Sequence, residues 1–287
     1  MTNPPLIWEA RGRRLDLTRR ALVMGILNTT PDSFSDGGSF EETEPALRHA
    51  RDMISEGADI IDVGGESTRP GAEAVGVDEE IARTVPVIER LRGEWDGLIS
   101  IDTSKAAVAA EALAAGADIV NDVTGLRGDV AMAEVCRESG AGVVVMHMQG
   151  QPRTMQEHPE YNDVVVEVRS FFETRHRELV ELGLREGCLV FDPGIGFGKS
   201  QDHNLLLLRR LDQLSPGGRP LLIGLSRKSF LGKAMGSPDL ALRSWPTVAL
   251  TAYTRSKGAR IHRVHEVGPN REALRMAEAI MDGGQIS

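Results

Sequence analysis

Short apolar runs punctuate the chain at roughly regular 30-residue intervals, and each ends at a polar or charged residue. The first, 21–27, stops at Asn28 and gives way to a polar loop broken by Pro31 and the Gly37-Gly38 pair. A helical pattern follows near 44–56, and the alternation then repeats. Strands are predicted at 59–63, 98–102, 118–122, 142–147, 188–192, 220–225 and 259–265. Helices are predicted near 78–92, up to 115 behind a Thr103-Ser104 cap, and near 130–139, 163–182 and 270–281. Ahead of these, 6–17 reads as a small hairpin turning near Gly12. Eight strands alternating with helices predict an α/β fold, a single (β/α)8 TIM barrel with a short N-terminal β-hairpin. Residues 1–287 are read as one domain, with the hairpin of 1–20 closing the barrel bottom. An open doubly wound sheet would show fewer repeats and a glycine fingerprint after its first strand, and neither pattern is present.

Composition narrows the function. Apolar residues make up 41% and charged residues 26% of 287 positions, enough for a full core. The net charge of −9 disfavours nucleic acid and anionic membrane surfaces as partners, so an anionic substrate would need locally gathered cations. Cys136 and Cys188 form neither a disulfide framework nor a metal-type spacing and are read as small core hydrophobes. No signal-peptide pattern and no membrane-length apolar run occurs, so a cytoplasmic protein is expected.

In a barrel of this kind the chemistry lies at the carboxyl ends of the strands. Those ends carry Asn28; Glu66, Thr68 and Arg69; Asp102; Asn121; Met146 and His147; Asp192; Ser226 and Lys228; Arg263 and His265. Strand alternation puts Leu98, Ser100 and Asp102 on one face, and likewise pairs Ile119 with Asn121, Val190 with Asp192 and Arg263 with His265. So many polar groups converging on one barrel mouth are costly unless they bind something. They form two sets. Asp102, Asn121, Asp192 and Lys228 suit a flat heterocycle with several N–H donors, because a carboxylate accepts two parallel N–H bonds. Asn28, Arg69, Arg263 and His265 suit a phosphate or diphosphate. The run from Ser226 to Ser229 opens a helix whose amides could hold a carboxylate.

The stretches MGILNTTPDSFSDGG, GADIIDVGGESTRPGAE, ISIDTS, IVNDV, VVMHMQGQPRTMQ, LVFDPGIGFGK, IGLSRKSFLG and RVHEV occur in this order over nearly the whole chain. Together they resemble the dihydropteroate synthase family of pterin-binding enzymes. The resemblance implies transfer of a pterin-methyl group from 6-hydroxymethyl-7,8-dihydropterin pyrophosphate to the amine of 4-aminobenzoate, with Mg2+ as cofactor and a homodimer as the assembly. Carried over by motif position, Asp102, Asn121, Asp192 and Lys228 hold the pterin, with Ile26, Met146 and Gly224 beside the ring. Asn28, Thr68, Arg69, Arg263 and His265 hold the pyrophosphate, and Mg2+ bridges it to Asn28. Phe34, Thr68, Pro70, Phe197 and Ser229 surround the aminobenzoate. Asp102, Lys228, Arg69 and Asp36 are the catalytic set, and the loops of Asp36 and Arg69 close over the substrates.

Other residues have plainer readings. His147 is either a satisfied core histidine or part of the rim. His262 faces away from Arg263 and is structural; its strand places it opposite His265, which argues against a metal site there. Asp122 anchors a helix or loop, and Lys199 is a solvated loop charge. The run Asp78-Glu79-Glu80 is solvated surface at a helix start. Pro246 stands where the family pattern has glycine and is compatible with the first turn of a helix.

Overall fold

The computed structural model describes residues 5–29, 40–67, 73–150 and 154–282, and only the backbone of 40–42. The hairpin comes first: β1 (Ile7–Ala10) pairs antiparallel with β2 (Arg13–Asp16), turning through Arg11 and Gly12, both at positive φ. The eight apolar runs then form β3 (Leu22–Asn28), β4 (Ile60–Gly64), β5 (Leu98–Asp102), β6 (Ile119–Asp122), β7 (Gly142–Met146), β8 (Leu189–Asp192), β9 (Leu221–Gly224) and β10 (Ala259–Val264). All eight are parallel and close into a barrel, with β10 sealed against β3.

Helices cover the outside: α1 (Phe40–Ser55), α2 (Val77–Glu94), α3 (Ala106–Ala114), α4 (Met132–Ser139), α5 (Val164–Glu181), α6 (Gln201–Arg209), α7 (Ser229–Ala234), α8 (Ser244–Ser256) and α9 (Val267–Met281). Between β9 and β10 the chain makes two helices, because Gly236 at positive φ and then Pro238 stop α7. Pro246 lies in the first turn of α8, where a missing N–H costs nothing. The expected Thr103-Ser104 cap is differently built: Thr103 Oγ1 accepts from the Lys105 amide, and Asp129 accepts from the first helical amide, Ala106. Among the described residues no helix is long and apolar enough to cross a membrane.

Both faces of the barrel strands are buried, and this is why they read as near-continuous apolar runs. Val23, Leu27, Ile61, Val63, Ile99, Ile101, Val120, Val145 and Phe191 pack outward with the helices. Leu22, Met24, Ile60, Leu98, Ile119, Val144, Val190, Leu222 and Ile261 fill the interior, and Trp8, Ala10 and Leu17 of the hairpin belong to the same cluster. Each such side chain is worth roughly 1.5–3 kcal/mol of burial. Trp8 Nε1 donates to Cys188 O at 2.8 Å, and Arg219 donates to Ile7 O at 2.9 Å, so the hairpin is fastened as well as packed. The apolar filling occupies the amino-terminal half of the barrel. One step further along five of the strands the inward positions turn polar, at Asp62, Ser100, Asn121, Asp192 and Arg263.

Candidate active site

Register brings those inward positions side by side. Asn28 pairs with Gly64, Gly64 with Asp102, and Asp102 with Asn121; Met146 pairs with Asp192, and Gly224 with Arg263. Arg263 is the hub of the first group. Its Nε donates to Asp62 Oδ2 at 2.6 Å and its Nη2 to Asp102 Oδ2 at 2.5 Å, while Asn121 Nδ2 donates to the same Asp62 oxygen at 3.1 Å. Asp62 was not among the residues expected from the sequence. It sits fully buried in mid-strand, whereas the expected residues are those at strand termini. The signal was available: Ile60, Asp62 and Gly64 share the inward parity, so Asp62 is a carboxylate aimed into the barrel.

The second group surrounds β8. Asp192 Oδ1 accepts from the Gly194 amide at 2.7 Å. Lys228, ahead of α7, donates to Ile195 O at 2.5 Å, and its Nζ lies 4.6 Å from the Phe197 ring centroid. Arg227 adopts positive φ and turns its guanidinium to Glu266 at 2.9 Å, which leaves Ser226 and Lys228 on the barrel side. His265 Nδ1 lies 2.9 Å from Ser226 Oγ. Ile26 and Met146 are buried beside these groups, whereas Asn28, Ser229 and part of Phe197 are accessible. A Cβ on Gly224 would stand 3.7 Å from Asp192 Oδ2 and 3.8 Å from Arg263 Cβ, so the glycine keeps a flat space between them. Phe34, Asp36, Thr68, Arg69 and Pro70 lie outside the described residues.

Burial sets the electrostatics. Desolvation pushes Asp102 up to about 7 against the pull of Arg263, and it raises Asp192 against Lys228 and the Gly194 amide. Lys228 is drawn down to about 8 by the same desolvation, opposed by Asp192. Burial alone would lower Arg263, but Asp62 and Asp102 outweigh it and hold the guanidinium firmly charged. The site thus alternates carboxylate and cation in a dry setting, where each group responds strongly to any charge that arrives.

Two of the plainer readings change, and the others are placed. Lys199 is not a solvated loop charge: it is 2% exposed and bonded to Gly194 O and Phe197 O of the turn after β8 and to His147 after β7. Glu80 is not solvated surface either; it is fully buried and ion-paired with Lys105, which also holds Glu66 at the start of the loop after β4. Asp78 and Glu79 do stay exposed. His147 is buried against Lys199 and Phe171 behind the mouth. Asp122 accepts from the Thr124 and Leu126 amides and anchors the loop after β6, and His262 faces outward, fully buried.

A parallel barrel with charged groups ringing the carboxyl ends of its strands is a small-molecule enzyme scaffold. A family model described as pterin binding enzyme matches residues 24–265. The dihydropteroate synthase of Synechocystis is 46% identical over 265 residues, 92% of each chain. Among solved structures, Yersinia pestis dihydropteroate synthase in a sulfonamide drug complex matches with a TM-score of 0.89 at 44% identity, covering 96% of this chain and 100% of that one. Burkholderia cenocepacia dihydropteroate synthase complexed with 7,8-dihydropteroate matches with a TM-score of 0.88 at 40% identity over 99% of each chain. The chain belongs to the dihydropteroate synthase family of pterin-binding enzymes.

Proposed function

We propose that this chain condenses 6-hydroxymethyl-7,8-dihydropterin pyrophosphate with 4-aminobenzoate, giving 7,8-dihydropteroate and pyrophosphate in folate biosynthesis. The observation that carries this reading is the rim itself, where Asp62, Asp102 and Asp192 stand among Arg263 and Lys228 within one barrel mouth. A dihydropterin edge presents N–H donors to Asp102 and Asp192 and an acceptor to Asn121 and Lys228, with Ile26, Met146 and Gly224 as the walls and floor. The carbon–oxygen bond to the pyrophosphate breaks first, leaving a cation delocalised over the ring nitrogens. Asp102 and Asp192 lie beside that charge, and Arg263, His265, Asn28, Thr68 and Arg69 receive the departing anion. The arylamine, assigned to Phe34, Thr68, Pro70, Phe197 and Ser229, closes the carbon–nitrogen bond with its lone pair, and its proton passes to the departing pyrophosphate. It needs no strong base. The family resemblance assigns Asp36 and Arg69 to keeping water away from the cation.

The donor set also suits Mg2+. Asn28 offers one accessible carboxamide at the end of β3, and among the described residues there is no group of three or more acidic, histidine or cysteine side chains to cage an ion. A small hydrated ion that arrives with phosphates and takes one or two protein oxygens fits such a place. When bound, it neutralises pyrophosphate charge. The assembly proposed is a homodimer, in line with the exposed Trp245, Met276 and Ile280 on α8 and α9.

The deciding assay follows pyrophosphate release with and without 4-aminobenzoate. Release that the arylamine accelerates and that yields dihydropteroate is the expected result, and no dihydropteroate with both substrates present refutes the assignment. Lys228→Ala and Asp192→Ala are each expected to weaken pterin binding by about 10²-fold or more, because each strips the counter-charge from the other in a buried setting. Calorimetric titration with a pterin analogue checks this, and parental affinity in both variants would remove these residues from the pterin pocket.

A further inference from the structure

Five consecutive carbonyls of the turn after β8 are each taken by a side chain. Lys199 Nζ donates to Gly194 O at 3.0 Å and Phe197 O at 2.9 Å, Lys228 to Ile195 O, Gln156 to Gly196 O, and Tyr161 to Gly198 O at 2.8 Å. Gly194, Gly196 and Gly198 all have positive φ, and the alternation aims the carbonyls at these donors. Lys199 reaches two further acceptors at the end of the neighbouring strand β7: His147 Nδ1 at 3.0 Å and His147 O at 3.3 Å. While Lys199 is charged it can only donate, and the imidazole then accepts through Nδ1. The lysine is 2% exposed and has only neutral acceptors around it, with no ion pair to it among the described residues. A buried cation with no carboxylate in contact is expensive, and desolvation brings its pKa down to about 7 against the pull of the Asp192 charge. A lysine that merely ended a turn would be left in water at no cost.

The turn it holds carries Phe197, which packs with Met146, Met148 and Met155 and lies under the Lys228 ammonium. We infer that Lys199 is a positioning residue for the arylamine side of the site: by fixing the Gly194 and Phe197 carbonyls it sets where the Phe197 ring stands. This rests on the proposed reaction, in which Phe197 faces 4-aminobenzoate. Two pterin residues also touch the turn, Asp192 through the Gly194 amide and Lys228 through Ile195 O, but neither bond is one that Lys199 makes. Asp102, Asn121 and Asp192 stand on barrel strands, so the pterin side depends on Lys199 less.

Lys199→Met keeps length and removes the donors. Hydrogen exchange in the peptide covering 193–200 is expected to quicken by about tenfold or more as the turn is freed. The KM for 4-aminobenzoate should rise about tenfold, with the KM for dihydropterin pyrophosphate changed by less than about twofold, as expected when one wall of one subsite shifts. Unchanged exchange overturns the anchoring. Quickened exchange with both KM values unchanged, or both raised in proportion, overturns the positioning role and leaves a structural one. If Lys199→Met does not fold, Tyr161→Phe removes a single donor from the same turn and is expected to move the same two readouts in the same direction by about two- to fivefold; no movement in either counts against the inference. A parent chain that makes no dihydropteroate refutes the reaction, whereas the exchange comparison still judges the anchor.

Discussion

Arg263→Ala is expected to be the most damaging single change in the mouth, costing on the order of 3–5 kcal/mol of stability as well as activity. Arg263 is the shared partner of two inward carboxylates, and Asp62 is fully buried with Oδ1 already lacking a hydrogen-bond donor among the described residues. Removing the guanidinium leaves Asp62 with Asn121 alone and places it beside Asp102 with nothing between their charges. One of the two must then take a proton on folding. The folded pKa of that carboxyl is raised above its unfolded value, so its contribution is present at low pH and lost as pH rises through the folded pKa. The stability deficit of the variant should therefore shrink on acidification. Arg263→Lys is expected to recover only part of the loss, since an ammonium cannot present two donors in a fixed fork to two carboxylates. Urea unfolding of parent, Arg263→Ala and Arg263→Lys checks the order. The value of kcat/KM should fall by about 10²–10³ in the alanine variant through loss of leaving-group stabilisation. An alanine variant within about 1 kcal/mol of the parent would mean that the carboxylates are already neutral and Arg263 is not their hub.

The barrel was legible because a parallel strand buried on both faces leaves an unmistakable apolar run, and eight of them at even spacing leave few topologies. Much of the site's placement was legible for a related reason. Parity along Leu98, Ser100 and Asp102, or Val190 and Asp192, follows from backbone geometry alone, and the structure puts those residues inward. What no local pattern shows is long-range. Lys199 looks like any loop lysine until His147, 52 positions earlier, and the carbonyls of its own turn close around it. Glu80 sits in an acidic helix start that reads as solvent-facing, and only the approach of Lys105 from the next βα unit explains its burial. Asp62 differs from both, because its inward parity is already written in Ile60-Ile61-Asp62-Val63-Gly64. Side chains whose partners lie a strand or more away are set by closure of the ring.

His262→Phe is expected to gain stability relative to the parent as the medium is acidified, by roughly 2 kcal/mol between pH 7.5 and pH 5. His262 is fully buried on the outward face of β10, with neither ring nitrogen hydrogen-bonded among the described residues. Burial first, and then the nearby Arg255 charge, pull its pKa down to about 3. Below the ordinary histidine value of about 6.5 the unfolded chain takes up a proton that the folded chain refuses until about pH 3, so stability falls with pH across that window by about 1.4 kcal/mol per unit. His147, held down to about 2 by burial and Lys199, acts in the same direction. Asp102 acts in the opposite one: its folded pKa of about 7 lies above the unfolded value, so it lends stability at low pH and withdraws it as pH rises through 7. The parent's own pH profile is therefore a sum of opposed contributions, and the difference between parent and His262→Phe isolates one of them. A phenyl ring is one ring atom larger and has no group to protonate, so any packing cost falls equally at both pH values and leaves the difference between them to the histidine proton. Chemical unfolding of both proteins at the two pH values gives the difference directly. A stability gap that stays constant between them would mean that His262 is protonated within the fold, which would require a partner for its ring on the outer wall of the barrel.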